Sequence, residues 1–473
     1  MNKILDKISN IRVMNILLDK ILSPKDKNKR LYVILLIIYK FFLESLYTIN
    51  LSKIYGYLGV SLDFNIYKMF ISWVSFFILV VVILKFEKET FWFIVFQLLS
   101  LFVIIPSFSL FALKNEPTIY FIYDILFWLI FILCAMYVPK VIFKKSSSKG
   151  ETEKLININK TLINIILIVC AVTTLTASYL YGGLRILISF ADIYKYRLAL
   201  RNIKMPIYFQ YMLPLMGTIL LPICILEYLK SKKYILVAVT LFLGMMLFSI
   251  NGMKTWVVVF LLVFGVCFIV KGKYNKYSVI NSILLFLIIC SILGYLSSLL
   301  FKNNIISGIF YRTTIAAPEI NYYYIDYIFN KQPLLLRGSI LRYFFVYPYS
   351  MKVEFLIGGL YTGHFDNNAN NGLLGDAYLN FKFLGVILYP FLYTLVFEGL
   401  RNILRKYDYK TNYIIILILI WGCLNTSFFT WLLTGGVILV YFIYWFNIIF
   451  YEKKVGILLW LKKHKLTFNY KRK

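Results

Sequence analysis

Two arginines and a tyrosine share one face of a predicted helix near the middle of the chain. Tyr194, Arg197 and Arg201 are spaced i, i+3 and i+7, and residues at this spacing lie on the same side of a helix. The planar guanidinium group forms bidentate, permanently charged hydrogen bonds with phosphate oxygens. This face is therefore a candidate clamp for a pyrophosphate and an adjoining sugar, although arginines snorkelling from an interfacial helix would give the same pattern.

A second group of candidate residues lies in the long stretch 301–382. Arg312 stands near its start, before Pro318-Glu319 and a run of three tyrosines, and Arg342 lies in a second aromatic and basic stretch at 337–352. Residues 358–376 are rich in glycine, Asn and Asp and contain His364. Aromatic rings stack on sugar faces, while Asn and Asp bond sugar hydroxyls, so the stretch is a candidate glycan site. An aromatic belt with a glycine-rich turn would account for the tyrosines but not for the Asn, His and Asp cluster.

The elements that must hold these residues are membrane helices. Of 473 residues, 61% are hydrophobic and only 15% are charged, and the mean hydropathy is +0.77. No water-soluble fold of this length covers so much apolar surface, and the same numbers exclude disorder, collagen and a disulfide scaffold. All six cysteines lie in apolar runs without metal-ligand spacing. The composition predicts an all-α, polytopic integral membrane protein.

Apolar runs of about 20 residues, the length that crosses a bilayer, predict twelve transmembrane helices. A segment of 1–30 with helical amphipathic spacing precedes them, and a basic tail follows at 451–473. Most Lys and Arg residues fall in the segments that are inside when both termini are cytoplasmic, so the predicted orientation is N-in and C-in. Nine spans fall in 31–300 and three in 383–450, and their limits are 31–49, 66–85, 91–113, 119–139, 161–183, 207–229, 234–250, 255–270, 279–300, 383–400, 412–429 and 431–450.

The net charge of +30 is most simply explained by the retention of loops rich in Lys and Arg in the cytoplasm. The sequence contains no soluble basic domain that would bind nucleic acid. Two predicted outer loops break the rule, because 184–206 and the large extracytoplasmic loop 301–382 are both basic. Lys254 adds a cation between the seventh and eighth spans. Long loops cross the membrane whatever their charge, which is one explanation, and an anionic ligand held at the outer face is the other.

The segment 371–385 resembles the end of the large periplasmic loop in the Wzy-type family of bacterial O-antigen and capsule repeat-unit polymerases. It reads Asn-Gly-Leu-Leu-Gly-Asp-Ala-Tyr-Leu-Asn-Phe-Lys-Phe-Leu-Gly, whereas the family usually has a glycine where Lys382 stands. The Tyr-x-x-Arg helix at Tyr194 and Arg197 is also similar, as is Arg312 before a tyrosine-rich stretch. Span number and loop placement match over nearly the full length.

The resemblance implies a glycosyltransferase of the bacterial cytoplasmic (inner) membrane. It would polymerise undecaprenyl-pyrophosphate-linked oligosaccharide units into O-antigen or capsular polysaccharide, without a cofactor or metal. Membrane lipids, a flippase and chain-length regulators are the implied partners. Protein cations would stabilise the leaving pyrophosphate, and an acid or histidine would accept the proton of the acceptor hydroxyl. The expected catalytic residues are Arg197, Arg312, His364 and Asp376, and the expected substrate-binding residues are Tyr194, Arg201, Lys254, Arg342, Asn371, Gly372, Gly375, Tyr378 and Asn380.

Other functions fit parts of the same pattern. A glycan ligase shares the span number, the large outer loop and catalytic Arg and His, so His364 favours it equally. A lipid-linked oligosaccharide flippase has a similar number of spans, but it should show related halves and cations deep in a central cavity. A glycosyltransferase that uses a polyprenyl monophosphate sugar often has an acid pair in the first outer loop, where this chain has only Asp63.

Overall fold

A computed structural model gives the architecture of the chain. It describes residues 27–142, 155–182, 205–251, 255–270, 276–302, 304–339, 341 and 344–470. For residues 251, 255–258 and 454–470 the description covers the helices alone. Throughout this part of the chain the regular secondary structure is helical. The predicted class, an all-α polytopic membrane protein, agrees with this architecture.

Nine helices within the described ranges are long and apolar enough to cross a membrane, and each coincides with a predicted span. The other three predictions, at 234–250, 255–270 and 412–429, fall on shorter apolar helices, Tyr234–Ile250, Val259–Ile269 and Tyr409–Asn425. The nine longer helices are Lys27–Ile54, Ile66–Lys88, Thr90–Leu113, Thr118–Val141, Lys160–Tyr181, Ile207–Lys230, Ser278–Phe301, Leu373–Leu404 and Phe428–Lys453.

The helices form two compact units, which we describe separately. Among the described residues, unit 1 takes in 27–142, 276–395 and 423–428. Thr90–Leu113 lies at its centre, because all of its most apolar window is buried. The α-helices that begin in unit 1 are Lys27–Leu46, Ser52–Ile54, Ile66–Lys85, Thr90–Leu99, Ile105–Leu113, Thr118–Val141, Ser278–Phe301, Ile305–Phe310, Ala316–Phe329, Val353–Thr362, Leu373–Leu404 and Phe428–Leu433.

Unit 2 takes in the described residues of 155–270, 396–422 and 429–470. Within the apolar stretch 412–450, the sequence predicts a possible hairpin turn at Asn425-Thr426-Ser427 or at Gly435-Gly436. One helix ends at Asn425, which belongs to unit 1, and Gly436 of unit 2 has a positive φ of 85°. The remaining α-helices that begin in unit 2 are Lys160–Ala177, Ile207–Leu215, Leu221–Lys230, Tyr234–Asn251, Thr255–Ile269, Tyr409–Asn425 and Val437–Tyr470.

Several helices widen into a π-helical turn just before a proline. Proline cannot donate to the carbonyl four residues earlier, and its ring pushes that carbonyl away. In each of three cases the residue four positions before the proline lies inside the π segment. The pairs are Ser100–Ile104 with Pro106, Met216–Leu220 with Pro222, and Tyr311–Ile315 with Pro318. Because the last segment contains Arg312, this distortion sets the backbone at a predicted site residue. The remaining π segments are Tyr47–Leu51 and Ser178–Gly182, and Gly56–Leu58 and Phe86–Lys88 are 3₁₀ turns.

A buried ion pair joins three helices inside unit 1. Lys40 Nζ lies 2.7 Å from Glu44 Oε1 and donates to the hydroxyls of Ser72 and Ser109, each at 2.8 Å. Trp73 Nε1 donates to the other Glu44 oxygen at 3.2 Å. Lone charges are costly inside a membrane, and the spacing of Lys40 and Glu44 predicts that they neutralise each other, as they do here.

Part of the predicted large loop forms a helix where the sequence suggested a glycine-rich turn. Gly358 and Gly359 lie inside the helix Val353–Thr362. A Cβ atom at Gly358 would come within 2.0 Å of the Asn367 carbonyl oxygen, and one at Gly359 within 2.1 Å of the Phe365 ring. These glycines therefore allow the following polar segment to pack on the helix. The helix Leu373–Leu404 begins ten residues before the predicted span at 383–400 and bends at Lys382.

Candidate functional site

The predicted outer loops of unit 1 lie together at one end of its helices. The backbone N–H of Asp63 donates to the Leu113 carbonyl at 2.9 Å, and that of Asn65 donates to Ala112 at 3.0 Å. Lys114 Nζ reaches the Gly59 carbonyl at 3.2 Å. The two short loops after the first and third spans are thus joined, and both contact the large loop through the residues described next.

An ion-pair cluster links the third span to the large loop. Lys114 Nζ lies 2.8 Å from Glu319 Oε1 and 3.8 Å from Glu116 Oε1. It also lies 4.6 Å from the centre of the Tyr323 ring. Glu319 is fully buried, and its second oxygen accepts from the Tyr311 hydroxyl at 2.9 Å. We call Lys114, Glu116, Glu319, Tyr311 and Tyr323 the Lys114 cluster.

Glu116 belongs to this cluster and lies between two spans. Burial raises its pKa from 4.5 to about 7, and the negative charges of Glu319 and Asp326 act in the same direction. The positive charge of Lys114 opposes them. A carboxyl group with a pKa near 7 can accept and release a proton at neutral pH, which is what general base catalysis requires. Burial and the nearby Glu319 charge raise the pKa of Tyr311, so this phenol remains a donor.

Arg312 lies beside the cluster and is exposed. The neighbouring Tyr311 ring stacks on Tyr55 with centroids 5.0 Å apart and an interplanar angle of 12°. Burial raises the pKa of Tyr55, and the positive charge of Arg312 partly offsets this rise. Tyr57 is 62% exposed, and the centre of its ring lies 6.2 Å from the centre of the Tyr55 ring. We call Arg312, Tyr55 and Tyr57 the Arg312 surface, which offers a guanidinium and aromatic rings to a ligand.

Asp326 joins three helices at the same end of unit 1. Its carboxylate accepts from the Tyr120 hydroxyl at 2.8 Å and from the Tyr361 hydroxyl in a short hydrogen bond. The Tyr361 ring stacks on Tyr323 of the Lys114 cluster at 4.4 Å. The helices Ala316–Phe329 and Val353–Thr362 are therefore held together, which fixes the position of Glu319.

The segment that carries the family resemblance is buried and bonded to backbone. Asp376 is 4% exposed; its Oδ2 accepts from the Phe428 N–H at 2.8 Å and its Oδ1 accepts from Asn380 Nδ2 at 2.9 Å. Asn380 Oδ1 in turn accepts from the N–H of Leu336 at 2.9 Å. The Tyr378 ring lies 5.2 Å from Tyr123. These contacts position backbone segments, so the geometry gives Asp376 and Asn380 a structural task whatever else they do.

Gly372 and Gly375, two of the expected substrate-binding residues, allow other parts of the chain to pack closely. Neither is among the glycines with positive φ, and Gly375 lies inside the helix that begins at Leu373. Their role is close approach, because a Cβ at Gly372 would come within 1.9 Å of the Cys423 carbonyl oxygen. A Cβ at Gly375 would lie 2.7 Å from Asn371 Nδ2, and Asn371 is buried beside it.

Lys382 occupies a backbone conformation that glycine favours. Its φ is 49° and its ψ is −130°, and the helix Leu373–Leu404 bends there. A side chain at positive φ clashes with the backbone, so this conformation is costly for lysine. The bend therefore falls at the position where the resembled family has a glycine.

The other predicted site residues divide between exposed positions and undescribed ones. His364 is exposed in the polar segment that follows the helix Val353–Thr362, and its carbonyl accepts from Asn367. Within the described ranges, no group of three or more His, Cys, Asp or Glu residues is arranged to hold a metal ion. Tyr194, Arg197, Arg201, Lys254 and Arg342 lie outside the described residues.

A cavity of about 210 Å³ lies in unit 2 and is distinct from these groups. Lys160, Lys230, Lys233 and Glu227 contribute to its wall. Lys230 Nζ lies 2.9 Å from Glu227 Oε1 and 2.7 Å from Asp408 Oδ2. The two carboxylates therefore compensate the positive charge of Lys230. This part of the chain is predicted to face the cytoplasm, where the predicted outer-face chemistry has no substrate.

Sequence reasoning missed Lys114, Glu116 and Tyr55. The tyrosines that follow Glu319 stood out in the sequence as rings that could stack on sugars, but Glu319 itself suggested no role. The signal for Lys114 and Glu116 was weak, because two charges next to a span normally mark a helix end.

In comparisons with known proteins, no family model, no curated protein and no solved structure matches the chain.

Proposed function

We propose that this chain is a polymerase of lipid-linked glycans at the outer face of a bacterial cytoplasmic membrane. The observation that carries the proposal is the adjacency of Arg312, a stacked tyrosine pair and a carboxylate cluster at the predicted outer end of unit 1. The exposed guanidinium adjoins Tyr311, and Tyr311 bonds Glu319 of the Lys114 cluster. Such a surface offers charge for a pyrophosphate, rings for sugars and a carboxyl group for a proton.

The proposed reaction uses these groups in one displacement. The oxygen of the acceptor hydroxyl bonds to the anomeric carbon of the donor glycan, while the bond from that carbon to pyrophosphate breaks. Undecaprenyl pyrophosphate leaves with its negative charge, which Arg312 stabilises. Arg197, Arg201 and Lys254 are proposed to assist it. The hydroxyl proton passes to a carboxyl group or to His364.

Glu116 is the base that the geometry favours over Asp376. Both oxygens of Asp376 already accept hydrogen bonds inside the protein. Glu116 lies at the edge of the cluster with its side chain 15% exposed, and its pKa is raised to about 7. A base is most effective when its pKa is near the working pH.

Lys382 is a departure from the resembled motif, which usually has a glycine there. The backbone at this position has φ 49° and ψ −130°, a conformation that glycine adopts at lower cost. In this chain the cost of the missing glycine is partly offset, since Lys382 Nζ donates to the Phe329 carbonyl at 3.1 Å.

A transporter of lipid-linked glycans is less well supported. A flippase should present cations to a passage through its helices. Lys40 is a cation deep in unit 1, but it is 0% exposed and bound to Glu44, Ser72 and Ser109. Its arrangement therefore favours a structural lock over a transport path.

The test is polymerisation by the purified chain in nanodiscs supplied with undecaprenyl-pyrophosphate-linked repeat units. We expect a ladder of lengthened lipid-linked products that a metal chelator leaves unchanged. Glu116→Gln should lower the rate, and Glu452→Gln, at an exposed acid of the predicted cytoplasmic end, should not. Transfer of finished glycan to another acceptor without lengthening would identify a ligase, and movement of unchanged units across the bilayer would identify a flippase.

A further inference from the structure

Residues 330–352 connect the helices Ala316–Phe329 and Val353–Thr362, and their tip is apolar and exposed. Phe344 is 79% exposed, Phe345 56% and Val346 87%. Three adjacent apolar side chains with this exposure, outside the spans, form a patch that soluble surfaces avoid. The patch therefore marks a surface that is covered by something else.

Hydrogen bonds to the helix Leu373–Leu404 fix the position of this segment along the axis of that helix. The N–H groups of Leu334 and Leu335 donate to the carbonyls of Leu379 and Asn380 at 2.9 and 3.1 Å. Leu335 and Leu336 both have positive φ, 50° and 61°, which non-glycine residues adopt only when their surroundings hold them. The segment is thus firmly attached to the helix just before its bend.

The residues just after the bend are exposed and apolar. Phe383 is 48% exposed and Leu384 69% exposed, and both belong to a helix that is apolar and long enough to span a membrane. Since the segment is attached at Leu379 and Asn380, it lies at the level where the membrane begins on this helix.

The charge of the segment complements an anionic lipid surface. Residues 330–352 contain four basic residues, Lys331, Arg337, Arg342 and Lys352, and no Asp or Glu. Lys331 and Lys352 are exposed. An apolar tip flanked by cations is the pattern of segments that rest in the interface, with rings among acyl chains and cations among headgroups.

We propose that the described residues of 330–352 form a membrane anchor, in which Phe344, Phe345 and Val346 enter the outer leaflet and Lys331 and Lys352 contact anionic headgroups. The occupant of the apolar patch is the lipid bilayer. This inference stands apart from glycosyl transfer, because it needs only the position and chemistry of the segment.

Spin labelling in nanodiscs that contain phosphatidylglycerol tests the anchor. A label at Phe345→Cys, in a chain whose six native cysteines are replaced, should collide with oxygen more than with a water-soluble nickel chelate. The ratio should match that at lipid-facing Leu384→Cys and exceed severalfold that at Asp366→Cys, an exposed position in the same large loop. A ratio equal to that at Asp366→Cys overturns the proposal, as does protection from both reagents, which would mean that protein covers the patch.

Because replacing all cysteines can prevent folding, a second measurement leaves the native cysteines in place. p-Benzoylphenylalanine in place of Phe345 should form a photo-adduct of the mass of a lipid, as the same substitution at Leu384 should. An adduct with a second copy of the chain, or no lipid adduct at 345 when 384 gives one, contradicts the anchor.

Discussion

The carboxylate of Asp376 accepts a hydrogen bond from the backbone N–H of Phe428 at 2.8 Å, across 52 residues of sequence. Phe428 begins the short helix Phe428–Leu433, whose first N–H groups have no partner within the helix. A negative charge at this place satisfies one of them and complements the helix dipole. Asp376 therefore ties the start of one membrane helix to the middle of the chain's last apolar stretch.

Replacing this carboxylate should destabilise the protein. In Asp376→Ala the N–H of Phe428 loses this buried acceptor, which costs about 1–3 kcal/mol, while Asn380 Nδ2 still donates to the backbone carbonyl of residue 376. Thermal unfolding in detergent should show a clearly lower Tm than wild type, whereas Asp366→Ala, at an exposed acid, should leave it unchanged. An Asp376→Ala protein with wild-type Tm and no activity would instead make Asp376 a purely catalytic residue.

The buried pair of Lys40 and Glu44 should respond to single and double substitution in opposite ways. Lys40→Met leaves a buried carboxylate without its cation and should cost about 3–5 kcal/mol. The double variant Lys40→Met with Glu44→Gln removes both charges and should recover much of that loss. Lys27→Met, at an exposed lysine on the same helix, serves as the control and should cost little. Equal losses in the single and double variants would show that the pairing is unimportant.

Glu116 should make stability depend on pH with a defined sign. Its folded-state pKa of about 7 lies above the ordinary 4.5, so the folded state binds this proton more tightly than the unfolded state does. Folding stability from this group is present below about pH 4.5 and is lost as pH rises to about 7, by at most about 3 kcal/mol. Between about pH 4.5 and pH 7, the free energy of unfolding should fall less steeply with pH in Glu116→Gln than in wild type. Parallel wild-type and Glu116→Gln profiles would remove Glu116 as the titrating group.

Lys382 should tolerate glycine better than alanine. Lys382→Gly relieves a positive-φ conformation that costs about 1–3 kcal/mol, at the loss of one hydrogen bond worth about 0.5–1.5 kcal/mol. Glycine also gains freedom in the unfolded chain, which costs about 0.4–1 kcal/mol, so we expect little net change in the free energy of unfolding. Lys382→Ala loses the hydrogen bond and keeps the strain, so it should be less stable than wild type. If both variants were equally destabilised, the hydrogen bond to Phe329 would matter and the backbone conformation would not.

The membrane helices were predictable because hydrophobicity is a local property of the sequence. Each of the nine longer helices lies where a run of apolar residues predicts it. The breaks near Asn425 and Gly436 were also predictable, since polar and glycine residues interrupt the last apolar stretch there. Helix starts such as Leu373 were predicted too late, because Asp376 and Asn380 make the first turns polar while their side chains bond internally.

The candidate site was predictable only in part, because its contacts join distant parts of the chain. Arg312 stood out as a cation in a predicted outer loop. Lys114 and Glu319 are 205 residues apart, and no spacing rule brings them together. Asp376 drew attention as an acid in a family-like motif, yet its bonds to backbone depend on a helix 52 residues away.

The central claim is tested most directly by the size distribution of lipid-linked and surface glycan in a strain that lacks this chain and is complemented with variants. Wild type and Arg30→Ala, which removes an exposed arginine at the predicted cytoplasmic end, should restore long polymer. Arg312→Ala should insert normally and leave only single repeat units, since removing one transition-state donor typically lowers turnover about 10²–10³-fold. Long polymer made by Arg312→Ala would contradict the account. Full-length polymer stranded on the lipid carrier in the deletion strain would also contradict it and would identify a ligase, with His364 as the first residue to replace.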